Sequence, residues 1–139
     1  MEKVFLLDIG GTNVRYALAE KGKTSIEKIF KKNIGSESLD KLLEDLLTTE
    51  SGKVLNLVIS AAGPKLGGII KMTNRSYKID PNEIKEKFSL KECHLLNDWE
   101  SIAYGHAYLN QKDCINLINK EVSSYNKNSL YFGPGTGLG

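Results

Sequence analysis

The stretch that decides the fold is LLDIGGTNVRYAL, residues 6–18. Its apolar residues run into Asp8, turn at Gly10-Gly11-Thr12, and resume as a second apolar strand. A plain hairpin needs the glycines but neither the carboxylate nor the threonine. Because glycine has no Cβ, a charged ligand can approach the N–H groups of such a turn closely. The stretch therefore predicts two strands joined either by a phosphate-binding turn or by an ordinary hairpin with an incidental acid.

The charge of Asp8 bears on the phosphate interpretation. A carboxylate repels a phosphate, so Asp8 cannot bind one directly. The residue makes sense if a Mg²⁺ ion, which usually keeps several of its waters, lies between the carboxylate and the phosphate. The phosphate interpretation thus predicts that Asp8 holds a metal ion through water.

Hydrophobic patterns along the rest of the chain predict alternating strands and helices. Leucines between Leu39 and Leu47 recur with helical spacing and form one apolar stripe. Asp80-Pro81 is a typical helix start, an acidic cap followed by proline at the first helical position. The predicted elements are strands at 3–8, 12–19 and 25–32, a helix at 36–49, a strand at 54–62, a helix at 81–88, a strand at 93–96 and a helix at 98–109. This order predicts an α/β fold, a ribonuclease-H-like mixed β-sheet with helices on both faces.

Three further pieces follow predicted strands. Asn97-Asp98 stands directly before a helix, at the edge where open α/β sheets bind ligands. Taken alone, the pair is more simply explained as a turn with a helix cap. The turn-rich segment from Gly63 to Asn74 offers room and polar groups, or merely forms turns. GPGTGLG at residues 133–139 has too many glycines for a strand and repeats the pattern of the first turn.

Composition narrows the class of protein. The 139 residues carry 19 basic and 17 acidic side chains, and only Arg15 and Arg75 are arginines. No clustered basic stripe is present, so we expect no nucleic-acid partner. Cys93 and Cys114 have no metal-binding spacing and predict reduced thiols. The first apolar run is too short for a signal peptide and no segment has membrane-spanning length, so we expect a cytoplasmic protein without a membrane partner.

Taken together and in order, five pieces of the chain resemble bacterial-type glucokinase. They are LLDIGGTNVRYAL, ISAAGP, KMTN, LLNDWESIAYG and FGPGTGLG, and the resemblance covers essentially the whole chain. It implies the N-terminal domain of an actin-like ATPase fold, in which two ribonuclease-H-like domains enclose a cleft. It also implies ATP-dependent phosphorylation of glucose at its 6-hydroxyl, with Mg²⁺.

The resemblance also implies roles for the matching positions. Asp98 is implied as the catalytic base, and the implied sugar contacts are Asn97, Asp98, Gly63 and Asn74. The implied nucleotide-binding positions are Leu7, Asp8, Ile9, Gly10, Gly11 and Thr12 in the first loop and Gly135, Thr136 and Gly137 in the second. Two aromatic exchanges depart from the family pattern: Trp99 replaces a usual Phe, and Ser76-Tyr77 stands where Trp is usual. They leave the preferred hexose open.

Family members continue into a second, larger domain. The resemblance therefore predicts an N-terminal domain at 1–119, a linker at 120–128, and the first strand and glycine-rich turn of a second domain at 129–139. Because half of the cleft is then lacking, we expect little or no kinase activity from this chain alone. An unpaired strand at 130–132 would favour pairing with another copy, so we expect a homodimer.

Three other functions remain possible at this point. A non-catalytic sugar- or nucleotide-sensing module would keep the same fold. A ribonuclease-H-like nuclease would need several carboxylates converging on two metal ions. Asp8 and Asp98 could be two of them, but the Gly-Gly-Thr turn and the scarcity of arginine argue against a nuclease. The related repressor/kinase family is disfavoured, since its cysteine-rich zinc motif is absent from these residues.

Overall fold

The computed structural model describes residues 2–26, 28–49 and 55–109, together with residues 112, 115, 117, 130 and 131. The chain divides into two units, Met1–Asp98 and Trp99–Gly139. Most of the predicted linker and second-domain segment, 120–139, lies outside the described residues. Leu130 and Tyr131 lie in no strand of the described part, and Phe132 lies outside it. The predicted domain bounds therefore stay predictions.

Eight strands and three helices make up the described part of the chain. In chain order they are β1 (Lys3–Ile9), β2 (Asn13–Glu20), β3 (Ile29–Asn33), α1 (Leu39–Thr49), β4 (Asn56–Ala61), β5 (Lys65–Leu66), β6 (Ile69–Lys71), β7 (Lys78–Ile79), α2 (Pro81–Lys87), β8 (Glu92–Asn97) and α3 (Asp98–His106). None of the described helices is long and apolar enough to cross a bilayer.

The main sheet has five strands in the order β3-β2-β1-β4-β8. β2 pairs antiparallel with both β1 and β3. β4 lies parallel to β1, and β8 lies parallel to β4. This mixed sheet is the arrangement predicted from the sequence. A smaller antiparallel sheet of β5, β6 and β7 is built from the turn-rich segment between β4 and α2.

One face of the main sheet forms the core of the first unit. Alternate residues of β1, from Phe5 to Ile9, are at most 2% exposed because a strand turns successive side chains to opposite faces. Leu57 and Ile59 of β4 are fully buried on the same face, as the register with β1 requires. The α1 leucines Leu39, Leu42, Leu43 and Leu46 join this core. The predicted apolar stripe is therefore the side of α1 that packs against the sheet.

Some element ends differ from the predictions. β3 begins at Ile29 rather than Ser25, and the described residues of that preceding segment are exposed. Local pattern alone could not locate this start, because polar residues on an edge strand look like those of the loop before it. α1 begins at Leu39, and the Ser38 hydroxyl caps it by accepting from the Lys41 N–H at 3.2 Å.

The start of α2 follows its sequence signal. The Asp80 side chain accepts a hydrogen bond from the Asn82 N–H at 3.0 Å, with Pro81 at the first helical position. We expect Asp80→Ala to lower the free energy of unfolding by about 1 kcal/mol, because the N–H loses its cap. Urea denaturation of residues 1–139 would measure the change. Asp80→Asn is the matched control and should stay close to wild type, since asparagine caps equally well. Equal losses in both variants would contradict the capping role.

Hydrogen bonds to the Glu2 carboxylate link the amino ends of the three parallel strands. Glu2, just before β1, accepts from Lys91 Nζ at 2.8 Å and from Asn56 Nδ2 at 3.2 Å. The Lys91 hydrogen bond, followed by that from Asn56, lowers the pKa of Glu2 to about 2. The ionised Glu2 therefore stabilises the fold at pH values above the ordinary glutamate pKa of 4.5. This contribution to the free energy of unfolding is lost as the pH falls toward 2. This edge is the one opposite the candidate site.

Candidate active site

The carboxyl ends of the three parallel strands meet at one edge of the sheet. Ile9, the last residue of β1, pairs with Ala61 of β4, and Ala61 pairs with Asn97 of β8. Neighbouring strands lie about 4.8 Å apart, so β1 and β8 are separated by roughly 10 Å. Asp8 precedes one end of this row and Asp98 follows the other. The fold therefore brings the two predicted acidic residues to the same edge.

Asp8 lies on the sheet face opposite the core. It is the cross-strand partner of Arg15 on β2, and its Oδ2 lies 3.3 Å from Arg15 Nη1. The Asp8 side chain is 46% exposed and that of Arg15 58% exposed, so solvent screening keeps this ion pair weak. The Asp8 carboxylate therefore remains accessible to an ion or to water.

The diglycine turn leaves a specific set of donors for a ligand. The Gly10 N–H donates to Asn13 O at 2.9 Å and closes the turn, while Thr12 O accepts from the Ile34 N–H at 2.9 Å. Among the described residues, none accepts a hydrogen bond from the Gly11 N–H, the Thr12 N–H or the Thr12 hydroxyl. These three donors suit phosphate oxygens. Leu7 and Ile9 are buried in the core, so their backbone atoms alone can contribute to binding.

Asn74 is placed beside the diglycine turn by the connection between β6 and β7. A Cβ on Gly11 would lie 3.5 Å from Asn74 Nδ2. The connection itself is closed by a hydrogen bond from the Met72 N–H to Tyr77 O at 3.0 Å. Asn74, predicted as a sugar contact, therefore borders the predicted phosphate turn.

Asn97 is held against the turn that follows β4. Its Nδ2 donates to Gly63 O at 2.7 Å, which links the end of β8 to the end of β4. Gly63 has a φ of +146°, and an added Cβ would lie 3.0 Å from Lys71 O. Only glycine fits this position without strain. The two residues predicted as sugar contacts are thus brought together by a direct hydrogen bond.

Asp98 is the first residue of α3 and is half-buried. The prediction that the Asn97-Asp98 pair joins a strand to a helix is confirmed. A carboxylate placed at the ligand-binding edge of an α/β sheet is in a position to act as a general base.

Two arginines border this site and were not predicted as functional. Arg15 pairs with Asp8, and the Arg75 Nε donates to Gly11 O at 2.7 Å. A signal was present in the sequence, because the only two arginines of the chain follow its two Thr-Asn pairs, in TNVR and TNR. Their chemistry would have been hard to assign without the fold, since one meets a carboxylate and the other a backbone carbonyl.

Gly135, Thr136 and Gly137 of the second loop, as well as Cys114, lie outside the described residues. Within the described part, no three His, Cys, Asp or Glu side chains cluster as metal ligands. Cys93 has a free thiol, and burial raises its pKa to about 11, so the thiol stays protonated at neutral pH.

Comparison with known proteins decides the family. The family model described as Glucokinase matches residues 5–139. The chain belongs to the glucokinase family. The glucokinase of Tolumonas auensis is 31% identical to it over 140 residues, which cover 99% of this chain and 43% of that protein. The glucokinase of Nitrobacter hamburgensis is 32% identical over 139 residues, which cover 95% of this chain and 41% of that protein.

Solved structures agree with this glucokinase-family fold. The crystal structure of a glucokinase from an Antarctic psychrotroph superposes with a TM-score of 0.69 at 27% identity, over 81% of this chain and 37% of that one. A ROK family glucokinase from Streptomyces griseus, solved with glucose and AMPPNP, gives a TM-score of 0.58 at 18% identity, over 75% of this chain and 36% of that one. The predicted fold class, an N-terminal domain of an actin-like ATPase, is confirmed.

The glucokinase-family chain described here spans about two fifths of the length of the curated relatives it matches. Its matched region carries the diglycine turn and the Asn97-Asp98 pair, the two parts of the candidate site.

Proposed function

We propose that this chain supplies one half of a kinase that transfers the terminal phosphoryl group of ATP to the 6-hydroxyl of glucose. The observation that carries the proposal is the common edge of β1, β4 and β8, which brings Asp8 and Asp98 to the two sides of one row. A separation of roughly 10 Å between the strands leaves room for a phosphate beside one acid and a sugar hydroxyl beside the other. Family membership supplies the reaction class.

The sugar half of the proposal assigns roles to three residues. Asp98 accepts the proton of the 6-hydroxyl as the oxygen bonds to phosphorus and ADP leaves. Asn97, fixed by its 2.7 Å hydrogen bond to Gly63 O, positions the sugar at the end of β8. Phosphoryl transfer depends chiefly on such positioning and on charge neutralisation. Asn74 is assigned to sugar binding as well, at the position where it borders the diglycine turn.

The nucleotide half rests on the diglycine turn. The N–H groups of Gly11 and Thr12 and the Thr12 hydroxyl donate to phosphate oxygens. Asp8 offers an accessible carboxylate, a hard oxygen ligand of the kind that Mg²⁺ takes together with water and phosphate oxygens. The ion would be held by Asp8 through water, and it would neutralise charge on the phosphates. We assign Gly135, Thr136 and Gly137 to the second nucleotide-binding loop by family likeness alone.

Two structural neighbours that are themselves glucokinases support the choice of substrates. The Streptomyces griseus neighbour was solved with glucose and an ATP analogue, and the Balamuthia mandrillaris glucokinase with glucose. A cytoplasmic location fits the proposal, because the free Cys93 thiol agrees with a reducing compartment.

The test joins residues 1–139 to the remaining C-terminal part of the Tolumonas auensis glucokinase. We expect this chimera to form ADP in a glucose-dependent manner in a coupled assay, whereas residues 1–139 alone should form little or none. Residues 1–139 match only about two fifths of these relatives, and the resemblance implies that the other half of the cleft belongs to the remaining part. Circular dichroism and gel filtration would establish that both proteins are folded.

The outcomes separate the candidate functions. A folded chimera that binds glucose by calorimetry but forms no ADP would favour a sensing module and contradict the kinase proposal. ADP formation by residues 1–139 alone at enzyme-like rates would contradict the assignment of the chain as half of a site. A comparison of glucose with other hexoses in the same assay would define the preferred sugar.

A further inference from the structure

Arg75 connects three segments of the first unit through one guanidinium group. Its Nε donates to Gly11 O at 2.7 Å, its Nη1 to Gly35 O at 2.8 Å and its Nη2 to Ile34 O at 2.8 Å. All three nitrogens therefore have an acceptor, and all three acceptors are main-chain carbonyls. A planar guanidinium with its donors in a fixed fork is suited to hold three such groups at once.

The guanidinium is itself held in place. It lies over the ring of Tyr77, with 5.6 Å between Cζ and the ring centroid, a distance at which a cation and an aromatic face attract. Tyr77 is only 7% exposed, and its hydroxyl donates to Glu37 O at 2.7 Å. Tyr77, one of the residues that depart from the family pattern, is thus a core residue that supports Arg75.

The carbonyl of Gly11 belongs to the same peptide unit as the N–H of Thr12, so the orientation of one determines that of the other. A peptide unit is planar, and in the trans form its C=O and the following N–H point in opposite directions. The described residues contain no cis peptide bond. Fixing Gly11 O toward Arg75 therefore fixes the Thr12 N–H in the opposite direction, and that N–H is one of the donors left for a ligand.

We infer that Arg75 is a positioning residue that presets the diglycine turn for phosphate. With all three of its nitrogens donating to carbonyls, Arg75 acts on the ligand through the orientation of the Gly11–Thr12 peptide. The catalytic consequence of this inference rests on the proposed kinase function, whereas its structural consequence does not. Lysine cannot replace Arg75 in this role, because a single ammonium group on a flexible stem cannot span three separated carbonyls.

Amide hydrogen exchange in residues 1–139 tests the structural part. The Gly10 N–H donates to Asn13 O and the Ile34 N–H donates to Thr12 O, each at 2.9 Å. The exchange rates of these two amides therefore report on the order of the diglycine turn. We expect Arg75→Lys and Arg75→Gln each to speed exchange of both amides at least tenfold, while amides of β4 remain as slow as in wild type. Lys78→Met, an exposed change at the end of the same hairpin, is the matched control and should alter neither amide. Wild-type exchange of Gly10 and Ile34 in Arg75→Lys would overturn the inference.

Kinetics of the chimera test the catalytic part. We expect Arg75→Lys to raise the KM for ATP at least tenfold while the KM for glucose stays within about twofold, a split that general destabilisation would not produce. Equal changes in both constants would overturn the positioning role. If the wild-type chimera is folded and binds glucose but forms no ADP, the proposed function fails, yet the exchange experiment still decides whether Arg75 orders the turn.

Discussion

Asp98→Asn is expected to lower the kcat of the chimera by about a thousandfold, within the range of 10²- to 10⁴-fold typical for loss of a general base. Asparagine has the size and shape of aspartate but cannot accept the proton of the sugar hydroxyl. The KM for glucose should change much less, since the amide can still form hydrogen bonds with the sugar. A coupled assay of ADP formation over a range of glucose concentrations would separate the two constants.

The control for Asp98→Asn is the same exchange at another helix start. Asp80→Asn replaces an aspartate that caps α2 and lies outside the candidate site, so its kcat should match wild type. Unfolding in urea would verify that both variants are equally stable. If Asp98→Asn kept more than a tenth of the wild-type kcat, Asp98 would not be the base, and the carboxylate would have to serve only in binding.

The main sheet was predictable because its signals are local. In β1 an apolar run ends at Asp8, and the glycines behind it mark the turn into β2, so strand order followed from sequence order. The start of β3 was missed because the polar residues from Ser25 onward read equally well as strand or loop. The sheet of β5 to β7 has strands of only two or three residues, too short to show a period.

The candidate site was predictable where function requires unusual residue types next to each other. Asp8 with its diglycine turn and the Asn97-Asp98 pair are such combinations. Arg75 was not, because its partners are carbonyl oxygens at Gly11, Ile34 and Gly35, and every residue type carries a carbonyl. Contacts of a side chain with distant backbone leave no pattern in the sequence, so they become visible only in the fold.

Gly63→Ala is expected to lower the free energy of unfolding by about 3 kcal/mol or more, the sum of backbone strain and overpacking. Its φ of +146° disfavours any side chain, and the new Cβ would lie 3.0 Å from Lys71 O and 3.2 Å from Ile70 Cγ2. Both neighbours resist movement, since one is backbone and the other belongs to a fully buried residue. Because Gly63 O also holds Asn97, the chimera should lose glucose affinity along with stability.

Gly68→Ala is the matched control for Gly63→Ala. Gly68 also has a positive φ, +81°, but an added Cβ there meets nothing within 4 Å. In Gly68→Ala, backbone strain alone should lower the free energy of unfolding by about 1–2 kcal/mol and leave glucose binding by the chimera unchanged. Urea denaturation of both variants, with the m-value compared to wild type, would separate strain from close contact. Equal losses of stability at the two positions would mean that the contact with Lys71 O is relieved without cost, and that Gly63 is needed for its backbone conformation alone.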